Sequence, residues 1–432
     1  MKRLFRTLTL LASLSLLALP LVACDDGDTT KDPVVTTGTV ELTVNDLCHA
    51  GAGLEGAVVD FNGTVYTATA DGKIAIADLG AGELSLTVTK AGYLPVDVMV
   101  TVTAGAQADK SADLTCQSLA VADMARTFLE GLNADGAYTP VTKAQGLFDN
   151  LNDGDTSNDP AVISVRSAEH YALGHVPGAI NIPWKTVADD ASLALLGEPN
   201  SGKLFVDYCY TGHTGGIAAG VLNLLGYPTA NMKYGFASWT TDETARAGAV
   251  EPVLTGDFPI ETTINTPTAT FDAPWMEYDV DTAWEATQAA AQAYLANADM
   301  KPTINAQEVF DNLNDGDTSN DPFIISVRAP ADYAFGHIPG AVNMPYKEIA
   351  KAENLALIPT DRELVIYCYT GHTGAVATAV LGTLGYHRVK NMKFGFAAYT
   401  QDATARAQSV FDPATDAHDF PFVTGTEPGT MP

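Results

Sequence analysis

The seven-residue segment CYTGHTG occurs twice, at residues 209–215 and 368–374. Each copy begins with one of only five cysteines in the 432-residue chain. These two thiols could be paired as a disulfide, bind a metal, or act as two copies of one reactive centre. Metal binding is the weakest of these, because one cysteine and one histidine per copy do not make a cluster of ligands.

Each cysteine is predicted to follow a buried strand and to precede an apolar helix. The strands cover 204–208 and 364–367, and the helices cover 215–225 and 374–384. Further predicted strands at 161–165 and 323–327 and predicted helices at 121–132 and 282–296 complete an alternating pattern. Strands that alternate with helices predict a parallel sheet covered on both faces.

On such a sheet, the thiol lies at the carboxyl end of a central strand, where open α/β sheets bind ligands. Gly212 and Gly371 can adopt positive φ, which lets successive N–H groups converge. The dipole of the following helix adds partial positive charge. This arrangement would stabilise a thiolate or the outer sulfur of a persulfide, so it fits a nucleophilic cysteine with an anion site.

The two cysteine segments belong to a long internal duplication. The segment FDNLNDGDTSNDP at 148–160 reappears at 310–322, an offset of 162 residues, and the offset at the cysteines is 159. A period of this length indicates two whole domains and not a solenoid. The predicted division is a signal peptide (1–23), a tether (24–37), a β-sandwich (38–117), a first α/β domain (118–262), a linker (263–280), a second α/β domain (281–425) and a tail (426–432).

Residues 38–117 show apolar side chains at alternate positions, separated by glycine and Asn/Asp turns, which predicts a small all-β sandwich. The segments EGAV at 55–58, TADG at 69–72 and KAGY at 90–93 resemble carboxypeptidase regulatory-like domains. That resemblance implies a spacer or adhesion module. Cys48 and Cys116 flank the sandwich, and we expect a disulfide between them, with two separate buried thiols as the alternative.

The N-terminus has the pattern of a targeting segment. Lys2, Arg3 and Arg6 precede an apolar stretch at 8–21, which is too short for a confident membrane span. The following LVAC ends at Cys24 and resembles the lipobox of bacterial lipoproteins. The resemblance implies lipidation of Cys24 and an exported protein anchored to a bacterial membrane, on its periplasmic or cell-surface side. An ordinary signal peptide is the alternative.

Longer motifs surround both cysteines. RSAEHYALGHVPGAINIP at 166–183 has a second copy at 328–345, and GFASW at 235–239 matches GFAAY at 395–399. With Tyr208-Cys209 and Tyr367-Cys368, these motifs resemble the rhodanese (thiosulfate sulfurtransferase) family. The resemblance implies that each thiolate takes a sulfane sulfur from a donor, forms a persulfide and passes the sulfur to a thiol acceptor, with no cofactor and no metal. The implied substrate-binding loops are Tyr210, Thr211, Gly212, His213, Thr214 and Gly215, and Tyr369, Thr370, Gly371, His372, Thr373 and Gly374.

The sequence departs from the family pattern at the loop. Active loops of the family often have arginine at the sixth position, where this chain has Thr214 and Thr373. Lys233 and Lys393 could supply anion contacts, or they could be solvated surface residues. The net charge of −29 argues against nucleic acid as a partner and does not steer an anionic donor toward the protein. Thiosulfate as the natural donor is therefore left open.

Several plainer interpretations accompany the enzyme hypothesis. The rhodanese-like domains could be catalytically silent and serve as a membrane-tethered binding scaffold or a sulfur carrier. His175 and His337 are expected to make structural hydrogen bonds, and Arg166 and Arg328 are expected to form ion pairs. The Asn/Asp-rich runs after 148 and 310 resemble a calcium loop in composition but not in spacing, and such residues also form ordinary turns.

Overall fold

The computed structural model describes residues 35–134, 138–248, 253, 255–297 and 301–430. It confirms the predicted fold class, an all-β sandwich followed by two α/β domains with parallel central sheets. In these ranges no helix has the length and apolar character needed to cross a membrane. The predicted signal peptide and Cys24 lie outside the described residues, as does most of the tether.

The N-terminal domain contains two four-stranded sheets. Its strands are β1 (Thr37–Asp46), β2 (Ala52–Gly53), β3 (Val58–Phe61), β4 (Thr64–Thr67), β5 (Lys73–Gly80), β6 (Gly82–Thr89), β7 (Val96–Val102) and β8 (Gln107–Leu114). One sheet has the order β2-β1-β5 with β8 beside β1, and the other has the order β4-β3-β6-β7. Alternate side chains of β1, including Val40, Leu42 and Val44, point into the core, as the period-two pattern predicts.

A disulfide joins the sandwich to the first helix of the α/β region. Cys48 and Cys116 are bonded, with 6.1 Å between their Cα atoms and 68 positions between them in sequence. Cys116 is the N-cap residue of α1 (Gln117–Gly131). The bond therefore fixes the end of β1 to the point where the chain leaves the sandwich.

The first α/β domain has a five-stranded parallel sheet in the order β11-β10-β12-β13-β9. After α1, its elements are β9 (Val141–Thr142), α2 (Ala144–Leu151), β10 (Ala161–Ser164), α3 (Ala168–Leu173), β11 (Ile180–Asn181), α4 (Asp190–Leu196), β12 (Phe205–Tyr208), α5 (His213–Leu224), β13 (Thr229–Met232) and α6 (Phe236–Trp239). All four side chains of β12 are buried, as expected of a central strand between two helical layers.

The second α/β domain repeats this topology, with the order β14-β18-β17-β15-β16. Its elements are α7 (Ala283–Ala296), β14 (Thr303–Ile304), α8 (Ala306–Leu313), β15 (Phe323–Ser326), α9 (Pro330–Phe335), β16 (Val342–Asn343), α10 (Ala352–Leu355), β17 (Leu364–Tyr367), α11 (His372–Thr383), β18 (Val389–Met392), α12 (Gly395–Tyr399), α13 (Ala403–Arg406) and α14 (Pro413–Asp416). Single 3₁₀ turns cover Leu47–His49, Trp184–Thr186 and Tyr346–Glu348.

The two α/β domains share one hydrophobic core across α5 and α11, the helices that follow the two cysteines. A Cβ added at Gly216 would lie 2.6 Å from the Cβ of Ala375, and one added at Gly220 would lie 2.6 Å from the Cβ of Ala379. Because only glycine leaves room for this approach, the sequence of α5 permits close helix packing. The packing brings the N-termini of both helices, and hence both cysteine loops, to one place.

The segment that follows each α/β domain packs on the other domain. Phe258 stacks on Phe310 of the second domain, at 4.3 Å between ring centroids. In return, Phe420 stacks on Phe148 of the first domain at 4.1 Å, and the Val423 and His175 backbones exchange two hydrogen bonds. The predicted domain limits did not include this exchange, which ties the two domains together at two further places.

Arg166 and Arg328 are fully buried, but their partners are not the carboxylates expected from the sequence. Arg328 donates to the carbonyl oxygens of Gly336, at 2.6 Å, and Ala405, at 3.1 Å. Its guanidinium also lies 4.0 Å from the ring centroid of Phe396. The arginine binds backbone and aromatic groups because the strand and helix ends around it bring carbonyls into reach.

The Asn/Asp-rich runs form tight turns held by hydrogen bonds among their own residues. Asp153 accepts the Asp155 N–H at 2.7 Å, and Asp315 accepts the Asp317 N–H at the same distance. Across the described ranges, no group of three or more His, Cys, Asp or Glu side chains is placed to hold a metal ion. These contacts account for the composition of both runs by turn formation.

Candidate active site

Each cysteine lies directly after a central strand, at the mouth of a loop that ends in a helix N-terminus. The Sγ atom of Cys209 accepts the Gly212 N–H at 3.1 Å, and that of Cys368 accepts the Gly371 N–H at 3.1 Å. The two glycines have φ of 88° and 84°, the left-handed conformation that aims their N–H groups back at the sulfur. Both thiols are free and are 2% exposed.

In each domain, a second glycine turn donates backbone hydrogen bonds to the cysteine loop. The Phe236 and Ala237 N–H groups donate to the carbonyls of Cys209 and Tyr210, at 2.9 and 3.0 Å. A Cβ at Gly235 would lie 2.6 Å from the Cys209 carbonyl oxygen, so only glycine allows this contact. These two loop carbonyls are therefore bound by the segment after Gly235, while the Gly212 N–H binds the sulfur. The GFA segment at 395–397 makes the same contacts in the second domain.

The tyrosine of each loop makes a side-chain contact with a nearby helix, which is α3 in the first domain and α9 in the second. Tyr210 hydroxyl contacts His170 Nδ1 at 2.6 Å. Tyr369 hydroxyl donates to Asp332 and accepts the Ala329 N–H at 3.2 Å. These bonds tie each tyrosine hydroxyl to a neighbouring helix and so help to position the loop.

The remaining loop residues are divided between buried and half-buried positions. Gly215 and Gly374 are buried against Asn231 and Asn391, where a Cβ would clash at 2.3 and 2.7 Å. Thr370 is buried and its hydroxyl contacts His372 Nδ1 at 3.1 Å. The half-buried loop threonines are Thr211, Thr214 and Thr373.

The loop histidines cross the domain interface. The rings of His213 and His372 are stacked, with 5.4 Å between centroids. A Cβ at Gly212 would lie 2.6 Å from the His372 ring, and one at Gly371 would lie 2.8 Å from His213. Each histidine is therefore next to the glycine that binds the other domain's sulfur. The sequence had suggested that each histidine belongs to the site of its own cysteine.

Burial favours the neutral form of both histidines. Burial lowers the pKa of His213 to about 3, helped by the positive charge of Lys393. Burial also lowers the pKa of His372 well below its usual range, helped by His213 and Lys233. A neutral imidazole offers one N–H donor and one acceptor. His372 uses its Nε2 as acceptor for the Tyr234 N–H, at 2.9 Å.

The two predicted anion contacts also act across the interface. Burial lowers the pKa of Lys233, and the electrostatic effect of Asp416, in the second domain, opposes that shift. Its Nζ atom reaches Gln408 of the second domain at 3.4 Å. Lys393 of the second domain, in turn, acts on His213 of the first. Lys233 is half-buried beside the second site and is not a freely solvated surface lysine.

Asp207 is a buried acid beneath the first cysteine loop that the sequence analysis missed. It lies in β12, two residues before Cys209, and its Oδ1 accepts the Asn231 side-chain N–H at 2.9 Å. Its Oδ2 has no hydrogen-bond partner in the part of the chain that the structure describes. Burial raises the pKa of Asp207 well above its usual range. The available signal was an acid inside an apolar strand, where the second copy has Ile366.

We predict that Asp207→Asn makes the first α/β domain more stable at neutral pH. When the pKa of an acid is higher in the folded state than in the unfolded state, the free energy of unfolding is unaffected below the unfolded-state pKa, which is about 3.9 for Asp. It then decreases as the pH rises from that pKa to the folded-state pKa. Between these two pKa values, the free energy of unfolding of Asp207→Asn should exceed that of the unmodified protein by an amount that grows by up to about 1.4 kcal/mol per pH unit. Denaturant midpoints measured across this range provide the check.

The control for this prediction is Asp361→Asn, because the Asp361 side chain is 77% exposed. Its stability curve should follow that of the unmodified protein. Parallel pH profiles for the protein and for Asp207→Asn would show that Asp207 is not a buried neutral acid.

Comparison with known proteins identifies the class to which this fold and site belong. A profile of the rhodanese-like domain matches residues 144–242 and 305–402, which include both cysteine loops. A sulfurtransferase of Allochromatium vinosum is 34% identical over 98 residues, which cover 23% of this chain and 87% of that protein. The chain belongs to the rhodanese-like family.

Two further matches are local. The thiosulfate sulfurtransferase PspE of Escherichia coli is 33% identical over 67 residues, or 16% of this chain and 64% of that protein. The solution structure of a rhodanese-like domain from Anabaena sp. is 26% identical, with a TM-score of 0.21, covering 23% of this chain and 74% of that one. The chain thus spans less than two thirds of PspE. Sulfur transfer is supported at the level of the family.

Proposed function

We propose that this protein is a sulfurtransferase that moves sulfane sulfur from a thiosulfate- or polysulfide-type donor to a thiol acceptor through persulfides on Cys209 and Cys368. The observation that supports it most directly is the state of the two sulfurs. Each is a free thiol that accepts a glycine N–H at 3.1 Å at the N-terminus of a helix. A persulfide anion at the same position would meet the same donor and dipole.

The chemical steps need no cofactor. The cysteine thiolate attacks the sulfane sulfur of the donor, a new S–S bond forms, and the bond between that sulfur and the rest of the donor breaks. The leaving group, sulfite in the case of thiosulfate, departs with the electron pair. An acceptor thiolate then attacks the outer sulfur and restores the enzyme thiolate, so electrons balance over the two half-reactions.

The N-terminal features belong to the same proposal. Lipidation at Cys24 would anchor the chain to a bacterial membrane on the exported side, where the Cys48–Cys116 disulfide would persist. The sandwich, as a carboxypeptidase regulatory-like module, would act as a spacer between the membrane and the catalytic domains. Its rigid attachment supports this role, since Gln117 exchanges two hydrogen bonds with the Tyr278 backbone, at 2.8 and 2.9 Å.

A silent scaffold or sulfur carrier is the competing function, and the observation that favours it is burial. Both thiols are 2% exposed, and the loops that hold them face each other across the domain interface. A carrier that hands sulfur to one docked partner would tolerate such enclosure better than an enzyme with freely diffusing substrates. Turnover in solution separates the two functions.

The test is persulfide formation and turnover in the full-length chain without its signal peptide. Treatment with thiosulfate or inorganic polysulfide should add the mass of one sulfur atom to the peptides containing Cys209 and Cys368. Cys209→Ser and Cys368→Ser should each remove one adduct. The double variant should lower the rate of transfer to glutathione at least about a thousandfold, because no nucleophile remains.

Cys48 and Cys116 provide the internal control, because they are held in a disulfide and should gain no sulfur. Adducts without turnover would support the carrier function. If no donor modified either free cysteine, the sulfurtransferase proposal would be wrong and the scaffold would remain.

A further inference from the structure

The histidine next to Gly371, the residue whose N–H binds Cys368, is buried and has no hydrogen-bond partner among the described residues. His213 is 2% exposed, and neither ring nitrogen makes a hydrogen bond to any residue that the structure describes. Its Nδ1 lies 3.0 Å from where a Cβ at Gly371 would be, and Gly371 donates its N–H to Cys368 Sγ. A buried, unpaired imidazole costs free energy unless a ligand satisfies it.

In the equivalent histidine of the second loop, His372, both ring nitrogens already have hydrogen-bond partners. His372 accepts the Tyr234 N–H through Nε2 and contacts Thr370 hydroxyl through Nδ1. The counterpart of Tyr234 is Phe394, which presents its ring edge-on to His213, at 4.7 Å and 90°. The two copies have the same loop sequence, yet only His213 keeps both nitrogens available.

A second unpaired polar group is the hydroxyl of Tyr346, the first residue of the 3₁₀ turn Tyr346–Glu348. Tyr346 donates its N–H to Val327, and Val327 donates its N–H to Tyr367, the residue before Cys368. The Tyr346 hydroxyl is buried and has no partner in the described ranges. Burial raises the pKa of Tyr346 well above its usual range, and the charges of Tyr138 and Cys368 add to the shift. The hydroxyl is therefore a permanent O–H donor.

The first domain has no equivalent hydroxyl. Trp184 occupies the matching position, since its N–H binds Val165, and the Val165 N–H binds Tyr208, the residue before Cys209. Beneath that loop lies Asp207, where the second domain has Ile366. The surroundings of the two thiols thus differ in two polar groups and one acid, although the CYTGHTG segments are identical.

We propose that Cys368 is the sulfur-loading cysteine and that His213 of the first domain and Tyr346 of the second bind the donor there. The inference rests on the proposed sulfurtransferase function. The ligand is a small sulfane-sulfur anion, such as thiosulfate or polysulfide, whose terminal oxygen or sulfur atoms accept hydrogen bonds from the imidazole N–H and the phenol O–H. Lys233, from the first domain, supplies the nearby positive charge.

This assignment gives the donor a different set of contacts from the arginine expected at the sixth loop position. Two neutral donors and one half-buried lysine replace one bidentate guanidinium. Neutral donors keep their binding geometry without adding charge to a buried site, and a hydrogen bond to a charged ligand is stronger than one between neutral groups. The loading step itself is thiolate attack on the sulfane sulfur, with release of the remaining anion and its electron pair.

The test measures loading at each cysteine separately in the full chain. After brief exposure to thiosulfate or inorganic polysulfide, persulfides are alkylated and the two cysteine peptides are quantified by mass spectrometry. In the unmodified protein, Cys368 should load faster than Cys209. His213→Phe and Tyr346→Phe should each lower the ratio of Cys368 to Cys209 loading about tenfold or more and raise the donor concentration for half-maximal rate.

Matched variants separate binding from folding. Trp184→Phe changes the position equivalent to Tyr346 and should leave the ratio unchanged. His213→Asn restores an N–H donor and should recover part of the loss, which a purely structural role of the ring would not predict. Thermal midpoints identify any variant that fails to fold. If His213→Phe fails to fold, Tyr346→Phe still tests the proposal, because it removes only a single oxygen.

The outcomes are distinguishable. Equal loading of both cysteines, or an unchanged ratio in both His213→Phe and Tyr346→Phe, overturns the assignment and leaves the sulfurtransferase function standing. Failure of both cysteines to load in the unmodified protein overturns the function and the assignment together.

Discussion

Replacing Arg328 with methionine is expected to lower the free energy of unfolding of the second α/β domain by about 3 kcal/mol. Methionine leaves the carbonyls of Gly336 and Ala405 buried without a donor, and each unpaired group costs about 1–3 kcal/mol. The attraction between the guanidinium and the Phe396 ring is lost as well. Denaturant unfolding followed by circular dichroism gives the measurement.

Arg328→Lys provides the matched control for volume and charge. An ammonium can reach one of the two carbonyls but cannot bind both in the planar geometry of arginine, so an intermediate loss is expected. Arg166→Met should behave like Arg328→Met, because Arg166 donates to Gly174 and Ala245 in the same way. If Arg328→Met proved as stable as the parent, these carbonyls would have to be satisfied by another group.

Removal of the Cys48–Cys116 disulfide is expected to cost about 4 kcal/mol, on the basis of the 68-residue separation that it closes. Most of this loss in the free energy of unfolding should fall on the sandwich, since the bond fixes the end of β1 to the start of α1. Thermal unfolding of Cys48→Ala/Cys116→Ala should show a lower first transition. Amide exchange should be faster in β1 and β8, which pair in parallel over their length.

A reducing agent supplies the control. It should lower the first transition of the parent protein to that of the double variant, and it should have no effect on the double variant. The α/β domains should be affected less, because the buried residues of their shared core all come from outside the sandwich. An unchanged first transition after complete reduction would show that the bond adds nothing to the stability of the sandwich.

Much of the architecture could be predicted because it depends on local patterns. The alternating burial in β1, the apolar strands before Cys209 and Cys368, and the helices after them each follow from a short stretch of sequence. The duplication also made it clear that the two cysteines are equivalent by descent and not partners in one bond. The glycine at the fourth position of each loop was sufficient to predict an N–H directed at the sulfur.

The site was harder to predict because its groups come from both domains. No local pattern indicates that Gly216 and Gly220 allow α5 to approach α11, or that this approach places His213 beside Gly371. The surroundings of Lys233 could not be read from its neighbours in the chain either, since its side chain contacts Gln408, 175 positions away. Asp207 was overlooked because one acid does not change the apolar character of a strand.

The sequence by itself determined two identical loops, each with a cysteine at the end of a central strand and a glycine whose N–H binds the sulfur. Identical segments fold alike because backbone conformation depends on residues that are neighbours in the chain. Only the tertiary structure decided that the two sites differ, since unlike side chains from distant segments surround each sulfur. His213 keeps both nitrogens available while His372 does not, and the reason is packing across the domain interface, not the segment CYTGHTG itself.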